Sequence, residues 1–153
     1  MVGTDERCQR LGIQLPVPPS SGGNYLSAKA VGRMLYLAGV ISTGADGVIT
    51  GTLGANRTIE EGYAAARACA LSQLAVIRAT LGSLNAVKGV VTVNGYVNSV
   101  AGFADSPKVI DGASDLLVEI FGEAGRHVRA AIGVAALPRN ALVELQMTVE
   151  VQE

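Results

Sequence analysis

With 153 residues, the chain is long enough for a single domain with a substantial hydrophobic core. Its formal net charge of −1 and its pI of about 5.8 exclude the basic surface on which nucleic-acid binding depends. An aromatic content of 4%, with no tryptophan, also argues against stacking platforms for single-stranded RNA. Because 49% of the residues are hydrophobic and only 16% are charged, the composition predicts that other subunits cover part of the surface.

Cysteine usage and apolar runs indicate the compartment. Cys8 and Cys69 have neither metal-ligand nor redox spacing, and a reducing environment suits both of them. No apolar run approaches the roughly 20 residues of a membrane span, and the N-terminus lacks a signal-type segment. We therefore expect a cytoplasmic protein with no membrane partner. One histidine, two scattered cysteines and no carboxylates at ligand spacing also predict that no metal is bound.

The N-terminal stretch has a different character from the rest of the chain. Residues 4–12 predict a short helix that ends at Gly12, and an irregular connector rich in Pro, Ser and Gly follows it. We therefore expect an N-terminal extension over residues 1–22 and a single domain over residues 23–153.

Two strands open this domain. Residues 25–31 and residues 34–41 combine apolar and β-branched residues around a short turn, which predicts a pair of neighbouring strands. Residues 42–57 are rich in Gly, Thr, Asp and Asn, and this composition favours a plain surface loop over a lid that covers a pocket.

A capping box begins the first long helix, with Thr58 as the N-cap and Glu61 three positions later. The helix continues to Leu81 and stops at Gly82, a favourable residue just beyond a helix end. Apolar residues recur every three or four positions along it, as in a helix that packs one side on a sheet: Ile59, Tyr63, Ala66, Ala70, Leu74, Ile77 and Leu81.

The second half repeats the alternation of strand and helix. Residues 87–99 predict a long strand with a bulge or bend near Asn94 and Gly95, and residues 108–123 predict a second helix. Strands in pairs with two helices between them predict an α+β fold, in which one mixed sheet carries both helices on one face. The other face would be covered by neighbouring subunits, and its expected occupants are small or amphipathic: Ala131, Gly133, Leu142, Gln146 and Thr148.

Residues 129–151 predict two strands joined by a short loop that contains Pro138. The second strand alternates cleanly, with one row of apolar residues at Val143, Leu145, Met147, Val149 and Val151. On the first strand, Arg129 shares its face with the small residues Ala131, Gly133 and Ala135. The open space beside this cation suggests a pocket for a small anion.

If this hairpin closes tightly, Ala135 lies opposite Glu144. Arg129 is then roughly 20 Å further along the strand, at a rise of about 3.3 Å per residue. Arg129 and Glu144 therefore could share a site only if a second copy of the chain supplied one of them, as in a symmetric oligomer with clefts between its subunits.

The residues alone leave several roles open. His127 could act as a general base, but a lone histidine in a charged loop is more often solvated or structural. Arg129 suits a structural ion pair as well as a ligand clamp. Glu144 suits a solvated strand position, and Tyr25 suits simple packing.

The C-terminal stretch resembles a known family. The segment RAAIGVAALP, followed by Val-Glu six residues after its leucine, resembles the signature of the RidA/YjgF reactive-intermediate deaminases, formerly called L-PSP endoribonucleases. GNYLSAKAVGRMLYLAGVI resembles the opening hairpin of that family, and KGVVTVNGYV resembles its central strand. The longer N-terminus and the segment GASDLLVEIFGEAGRH are similar to a less characterised branch.

The resemblance implies a chorismate-mutase-like α+β fold and a homotrimer with pockets between its subunits. It implies that Arg129 binds the substrate carboxylate as a bidentate fork and that Glu144 holds or activates a water molecule. It also implies that Tyr25 lines the pocket and that Gly39 offers backbone hydrogen bonds. The implied reaction is the hydrolysis of a 2-imino or enamine acid to a 2-oxo acid and ammonia, without metal or cofactor.

The chain departs from the family pattern at four positions. Ala38 replaces a serine, Val40 a glutamine, Ala131 a cysteine and Asn24 a proline, while Arg129 and Glu144 are kept. Two other functions compete with imine deamination. One is a non-catalytic trimer that binds small carboxylate metabolites, and the least favoured is an endoribonuclease, because the chain is acidic and poor in aromatic residues.

Overall fold

A computed structural model describes residues 2–153, so that Met1 lies outside the described part of the chain. Its elements follow in the order α1 (Thr4–Arg10), β1 (Ala28–Val31), β2 (Met34–Leu37), β3 (Val40–Ile41), β4 (Thr43–Gly44), β5 (Gly47–Val48), α2 (Ile59–Leu81), β6 (Val87–Asn98), α3 (Ser106–Phe121), β7 (Val128–Val134) and β8 (Val143–Val151). The predicted order of long strands and helices is confirmed. Over residues 2–153, every helix is too short or too polar to cross a membrane.

The main sheet is mixed. Its strands are ordered β1-β2-β8-β6-β7, and β3 continues the pairing with β8 beyond the end of β2. All pairs are antiparallel except β6 with β7, which are parallel. Helices α2 and α3 pack on each other and against the same face of this sheet. The predicted α+β class, with its mixed sheet and two helices on one face, is confirmed.

The predicted hairpin between the last two strands is wrong. β7 pairs with β6, and β6 also pairs with β8, so that β6 separates the two strands. Burial explains the arrangement, because the apolar row of β8 is fully covered only in the middle of the sheet. β7 is largely exposed and takes the edge. Residues 135–142 cross over β6, and Arg139 and Asn140 adopt left-handed backbone angles, with φ of 56° and 57°.

Local signals define α2 as the sequence predicts. The Thr58 hydroxyl accepts a hydrogen bond from the Glu61 N–H at 3.1 Å, and the Glu61 carboxylate accepts one from the Thr58 N–H at 3.0 Å. At the other end, Gly82 has a φ of 87°, a conformation that glycine adopts without strain. The helix buries Cys69 against the sheet, with Sγ 3.6 Å from the Val143 carbonyl oxygen, and burial raises the pKa of this thiol.

The bend predicted at Asn94 and Gly95 is also wrong. The register of β6 against β8 shifts earlier, between Val87 and Gly89 and again between Val90 and Thr92. Gly95 is regularly paired with its neighbouring strands, and its role is to allow close packing of α3 on the sheet. A Cβ at this position would lie 2.5 Å from the Ile110 side chain, so the glycine allows α3 to approach the sheet closely.

The predicted surface loop, residues 42–57, is more ordered than expected. Within it, β4 and β5 form a small hairpin. Ser42 is fully buried, and Leu53 is inserted into the core. Isolated bridges join Leu53 to the end of β6 and Thr50 to Ala141, so the loop is part of the folded body.

The helix-free face of the sheet differs from the prediction at three residues. Gln146 and Thr148 lie on it, but Ala131 and Gly133 lie on the helix side of β7, and Leu142 is fully buried. The parallel pairing with β6 causes the difference, because it turns every odd-numbered residue of β7 toward α3. Exposed apolar side chains occupy this face instead, at Tyr36, Val128 and Ile132.

The N-terminal helix is attached to the rest of the chain. The Asp5 carboxylate accepts hydrogen bonds from the Ser83 hydroxyl and from the Leu84 N–H, and Cys8 is the buried residue of α1. The division into an extension over residues 1–22 and a domain over residues 23–153 stays a prediction.

Candidate functional site

A cavity of about 880 Å³ lies beside β8, where β2 ends and β3 begins. Three residues singled out by the resemblance line it together: Tyr25, Gly39 and Glu144. The connector before β1, the side of α2 and the loop before β8 complete its walls, with Ser20, Ser21, Gly22, Ser72, Val76 and Arg139 among the lining residues.

Glu144 supplies the only carboxylate among the residues that line this cavity. It stands on β8 between Ile41 of β3 and Tyr96 of β6. The side chain is half-buried, and this burial raises the pKa of its carboxyl above the ordinary value for glutamate. A carboxyl with a raised pKa in a cleft is typical of groups that exchange protons in catalysis.

Gly39 makes room for this carboxyl. It lies in the break between β2 and β3, and a Cβ at this position would lie 2.6 Å from Glu144 Oε2. The buried side chain of Gln73 holds the break in place from the helix side. Its Nε2 donates to the carbonyl oxygens of Ala38 and Leu145, each at 2.9 Å. The backbone around Gly39 is therefore fixed against β8 by a side chain of α2.

Tyr25 closes the outer side of the cavity. The side chain is half-exposed, and its hydroxyl accepts a hydrogen bond from the Gly22 N–H at 3.0 Å. A Cβ at Gly23 would lie 3.5 Å from its ring, so the backbone of Gly23 passes close to Tyr25. The connector that the sequence shows as irregular is thus folded around Tyr25 at the mouth of the cavity.

Arg129 lies elsewhere in the chain. It projects from β7 toward α3, where Nη2 is 2.9 Å from Asp111 Oδ1 and 3.2 Å from the Pro107 carbonyl oxygen. Nη1 donates to Ser114 Oγ at 3.0 Å. Its side chain is 25% exposed, so this cation is largely enclosed by partners from its own chain.

Within one chain, Arg129 and Glu144 do not meet. Arg129 is in register with Val93 of β6, and Val93 is in register with Met147 of β8. Glu144 is therefore about 10 Å away across two strand spacings and about 10 Å along the strand, on the opposite face of the sheet. The separation expected from the sequence holds, although it arises from the strand order rather than from a hairpin.

Sequence reasoning missed Gln73 and Arg139, and it did not place Asp111 beside Arg129. The signal for Gln73 is a polar residue within the apolar run CALSQLAVI of α2. Asp111 stands four residues after Pro107 on α3, and only the fold brings it to Arg129. Among residues 2–153, no group of three or more His, Cys, Asp or Glu side chains is arranged to hold a metal ion.

The sheet and helices define a protein of the chorismate-mutase-like α+β class, and comparison with known structures agrees. A "putative endoribonuclease" from Shewanella oneidensis MR-1 superposes with a TM-score of 0.93 at 34% identity, covering 98% of this chain and 100% of the other. RidA from an Antarctic Psychrobacter superposes with a TM-score of 0.58 at 25% identity, covering 90% and 97% of the two chains.

The sequence comparisons identify the family. Residues 5–151 match the family described as "YjgF/chorismate_mutase-like, putative endoribonuclease". The chain is also 46% identical over 144 residues to Protein TCP17 of Trypanosoma cruzi, covering 93% of this chain and 90% of that protein. The chain belongs to the YjgF family, as the resemblance predicted. The similarity to TCP17 also agrees with a less characterised branch.

Proposed function

We propose that this protein is a hydrolytic deaminase that converts small 2-imino and enamine carboxylates to 2-oxo acids and ammonia. The observation that carries the proposal is the half-buried carboxyl of Glu144, which faces a cavity together with Tyr25 and Gly39. Membership of the YjgF family supports a small-molecule role at this position.

The carboxylate of Glu144 is suited to activate the water that attacks in such a reaction. Water adds its oxygen to the imine carbon, and the Glu144 carboxylate accepts the proton that the water loses. The electron pair of the C=N bond moves to the nitrogen of the protonated imine, which gives a neutral amino alcohol. Protonated Glu144 then donates its proton to this amine, the C–N bond breaks to release ammonia, and the hydroxyl group loses its proton to water as the carbonyl group forms. Because burial raises the pKa of Glu144, its carboxylate is a stronger base than an exposed glutamate. Imines hydrolyse readily, so an oriented water and a bound carboxylate are sufficient without metal or cofactor.

Arg129 completes the site from a neighbouring subunit in this proposal. A guanidinium recognises a carboxylate with two parallel hydrogen bonds. Since Arg129 and Glu144 of one chain lie on opposite faces of the sheet, a homotrimer with clefts between subunits would supply the pair. The exposed apolar side chains of Val128, Ile132 and Tyr36 give the helix-free face the character of a surface that another subunit covers.

A non-catalytic binder of small carboxylates is the second candidate. Asp111 already pairs with Arg129, which reduces the net charge offered to a ligand. Alanine at positions 38 and 131 also removes the polar groups expected in the pocket. An endoribonuclease is not proposed, because a net charge of −1 provides little attraction for RNA phosphates.

The deciding experiment measures ammonia release from imines generated in solution by an amino-acid oxidase, with and without the protein. We expect acceleration by the wild-type protein and its loss in Arg129→Ala. The matched control is Arg10→Ala, which removes an exposed arginine from α1. Undiminished acceleration by Arg129→Ala would contradict the deaminase. Stabilisation against heat by 2-oxo acids, lost in Arg129→Ala but without any turnover, would establish the binder instead.

A further inference from the structure

His127, the only histidine of the chain, belongs to a row of hydrogen bonds that ends at Arg129. Its Nδ1 is 2.7 Å from the Gly125 carbonyl oxygen, and its Nε2 is 2.9 Å from Ser114 Oγ. The same Ser114 oxygen accepts the hydrogen bond from Arg129 Nη1 at 3.0 Å. The ring is partly buried, which limits competition from water for these bonds.

When the imidazole is neutral, a single arrangement of protons satisfies this row. A carbonyl oxygen only accepts, so the proton of the neutral ring is on Nδ1, toward Gly125. Nε2 then has a lone pair and accepts the proton of the Ser114 hydroxyl. The lone pairs of Ser114 Oγ are left for Arg129, whose guanidinium only donates. Without His127 as acceptor, the hydroxyl is free to turn its proton toward the guanidinium and repel it.

The other terminal nitrogen of Arg129 is fixed independently. Asp111 and the Pro107 carbonyl oxygen lie at Nη2, while Ser114 lies at Nη1. A long side chain loses much conformational freedom when it binds a ligand, and the loss is smaller if the side chain is already held. Contacts at both terminal nitrogens therefore fix the orientation of the guanidinium before the substrate binds.

We propose that Ser114 and His127 are positioning residues that hold the Arg129 guanidinium ready for the substrate carboxylate. The inference rests on the proposed function, in which Arg129 binds that carboxylate. His127 acts through Ser114 and touches neither the substrate nor the attacking water. This assignment replaces the general-base role that the sequence left open for the histidine.

The test measures the affinity for 2-oxobutanoate by calorimetry, together with KM and kcat for the corresponding imine. Ser114→Ala is expected to raise both Kd and KM about fivefold, the effect of one modest hydrogen bond. kcat stays within about twofold, since binding that is equal in the ground and transition states changes KM alone. Ser114→Thr retains the hydroxyl and restores both constants.

His127→Phe provides the second arm. Its ring fills a similar space but accepts no hydrogen bond, so we expect the same rise in Kd as for Ser114→Ala. Because both residues act on Arg129 through one hydrogen bond, the double variant is expected to bind no more weakly than either single variant. Ser106→Ala is the matched control, since this buried serine of α3 has no hydrogen-bond partner for Oγ within residues 2–153.

The outcomes separate the two proposals. If Arg129→Ala leaves the affinity for 2-oxobutanoate unchanged, the proposed function fails. If Arg129→Ala abolishes binding while Ser114→Ala and His127→Phe bind like the wild type, only the positioning role is overturned. A loss that Ser114→Thr does not restore, or additive losses in the double variant, would overturn it as well. His127→Phe decides alone if Ser114→Ala does not fold.

Discussion

Glu144 and Arg129 carry opposite charges, and the chain surrounds them in different ways. The Glu144 carboxyl is half-buried beside an open cavity, and burial alone raises its pKa. Arg129 is held at both terminal nitrogens by partners on α3. The cavity leaves the Glu144 carboxyl poorly solvated, whereas the contacts with α3 hold the Arg129 guanidinium in a fixed orientation. A group that transfers protons benefits from the first environment, and a group that must be presented to a neighbour benefits from the second.

The largest expected effect comes from dissociating the subunits, which would separate Glu144 of one chain from Arg129 of its neighbour. Ile132→Asp places a charge on the helix-free face, where Ile132 is 50% exposed. We expect a folded monomer by light scattering and circular dichroism, with no detectable ammonia release, because each pocket would lack its Arg129. Val118→Asp, on the exposed side of α3, is the matched control and should change neither property. An active trimer of Ile132→Asp would show that this face is not the interface.

Glu144→Gln tests the acidic region alone. We expect kcat to fall about 100-fold to 10,000-fold, the usual contribution of general acid–base catalysis. Binding of 2-oxobutanoate should remain, since Arg129 is untouched. Glu150→Gln, on the same strand and face but ion-paired with Lys88, should retain full activity. Equal turnover by Glu144→Gln and the wild type would remove Glu144 from the mechanism.

Gly39→Ala should displace the carboxyl without removing it. The new Cβ would lie 2.6 Å from Glu144 Oε2, so the side chain must move. We expect kcat to fall about tenfold or more, because small displacements of a catalytic group are costly, with little change in the midpoint of thermal unfolding. Gly44→Ala is the control, since its Cβ would meet only ordinary contacts with Ile49. Normal kinetics in Gly39→Ala would show that this fit is unimportant.

The smallest effect concerns stability and pH. Because burial raises the pKa of Glu144, the folded chain holds that proton more tightly than the unfolded chain does. The resulting stabilisation is complete below the ordinary glutamate pKa and is lost as the pH rises through the raised pKa. Glu144→Gln should therefore unfold at a higher temperature than the wild type at neutral pH, and the difference should narrow on acidification. Thermal unfolding at a series of pH values measures this, and a constant difference would contradict it.

Local signals predict much of this fold correctly. The capping box at Thr58 and the glycine at position 82 define α2 almost to the residue, because each signal acts through hydrogen bonds within one turn. The alternation of β8 likewise predicts its buried row. The predicted pairing of β7 is wrong, since residues 135–142 suit either a hairpin or a crossing, and only the burial of the whole sheet decides between them.

The candidate site was only partly accessible to sequence reasoning. The family resemblance predicts Tyr25, Gly39 and Glu144 as site residues, and all three line one cavity. The role of Gln73 was not predictable, because its partners are carbonyl groups exposed by a strand break far away in sequence. The partners of Arg129 were missed for a similar reason. They come from a helix whose placement on β7 depends on the parallel pairing.

The enclosed thiol of Cys69 can be used to measure how often α2 separates locally from the sheet. Its sulfur is sealed between α2 and the carbonyl groups of Val40 and Val143, and its raised pKa leaves almost no reactive thiolate. An alkylating reagent can modify Cys69 only when α2 lifts from the sheet beside the cavity. The rate of labelling under native conditions therefore reports how often that lining opens.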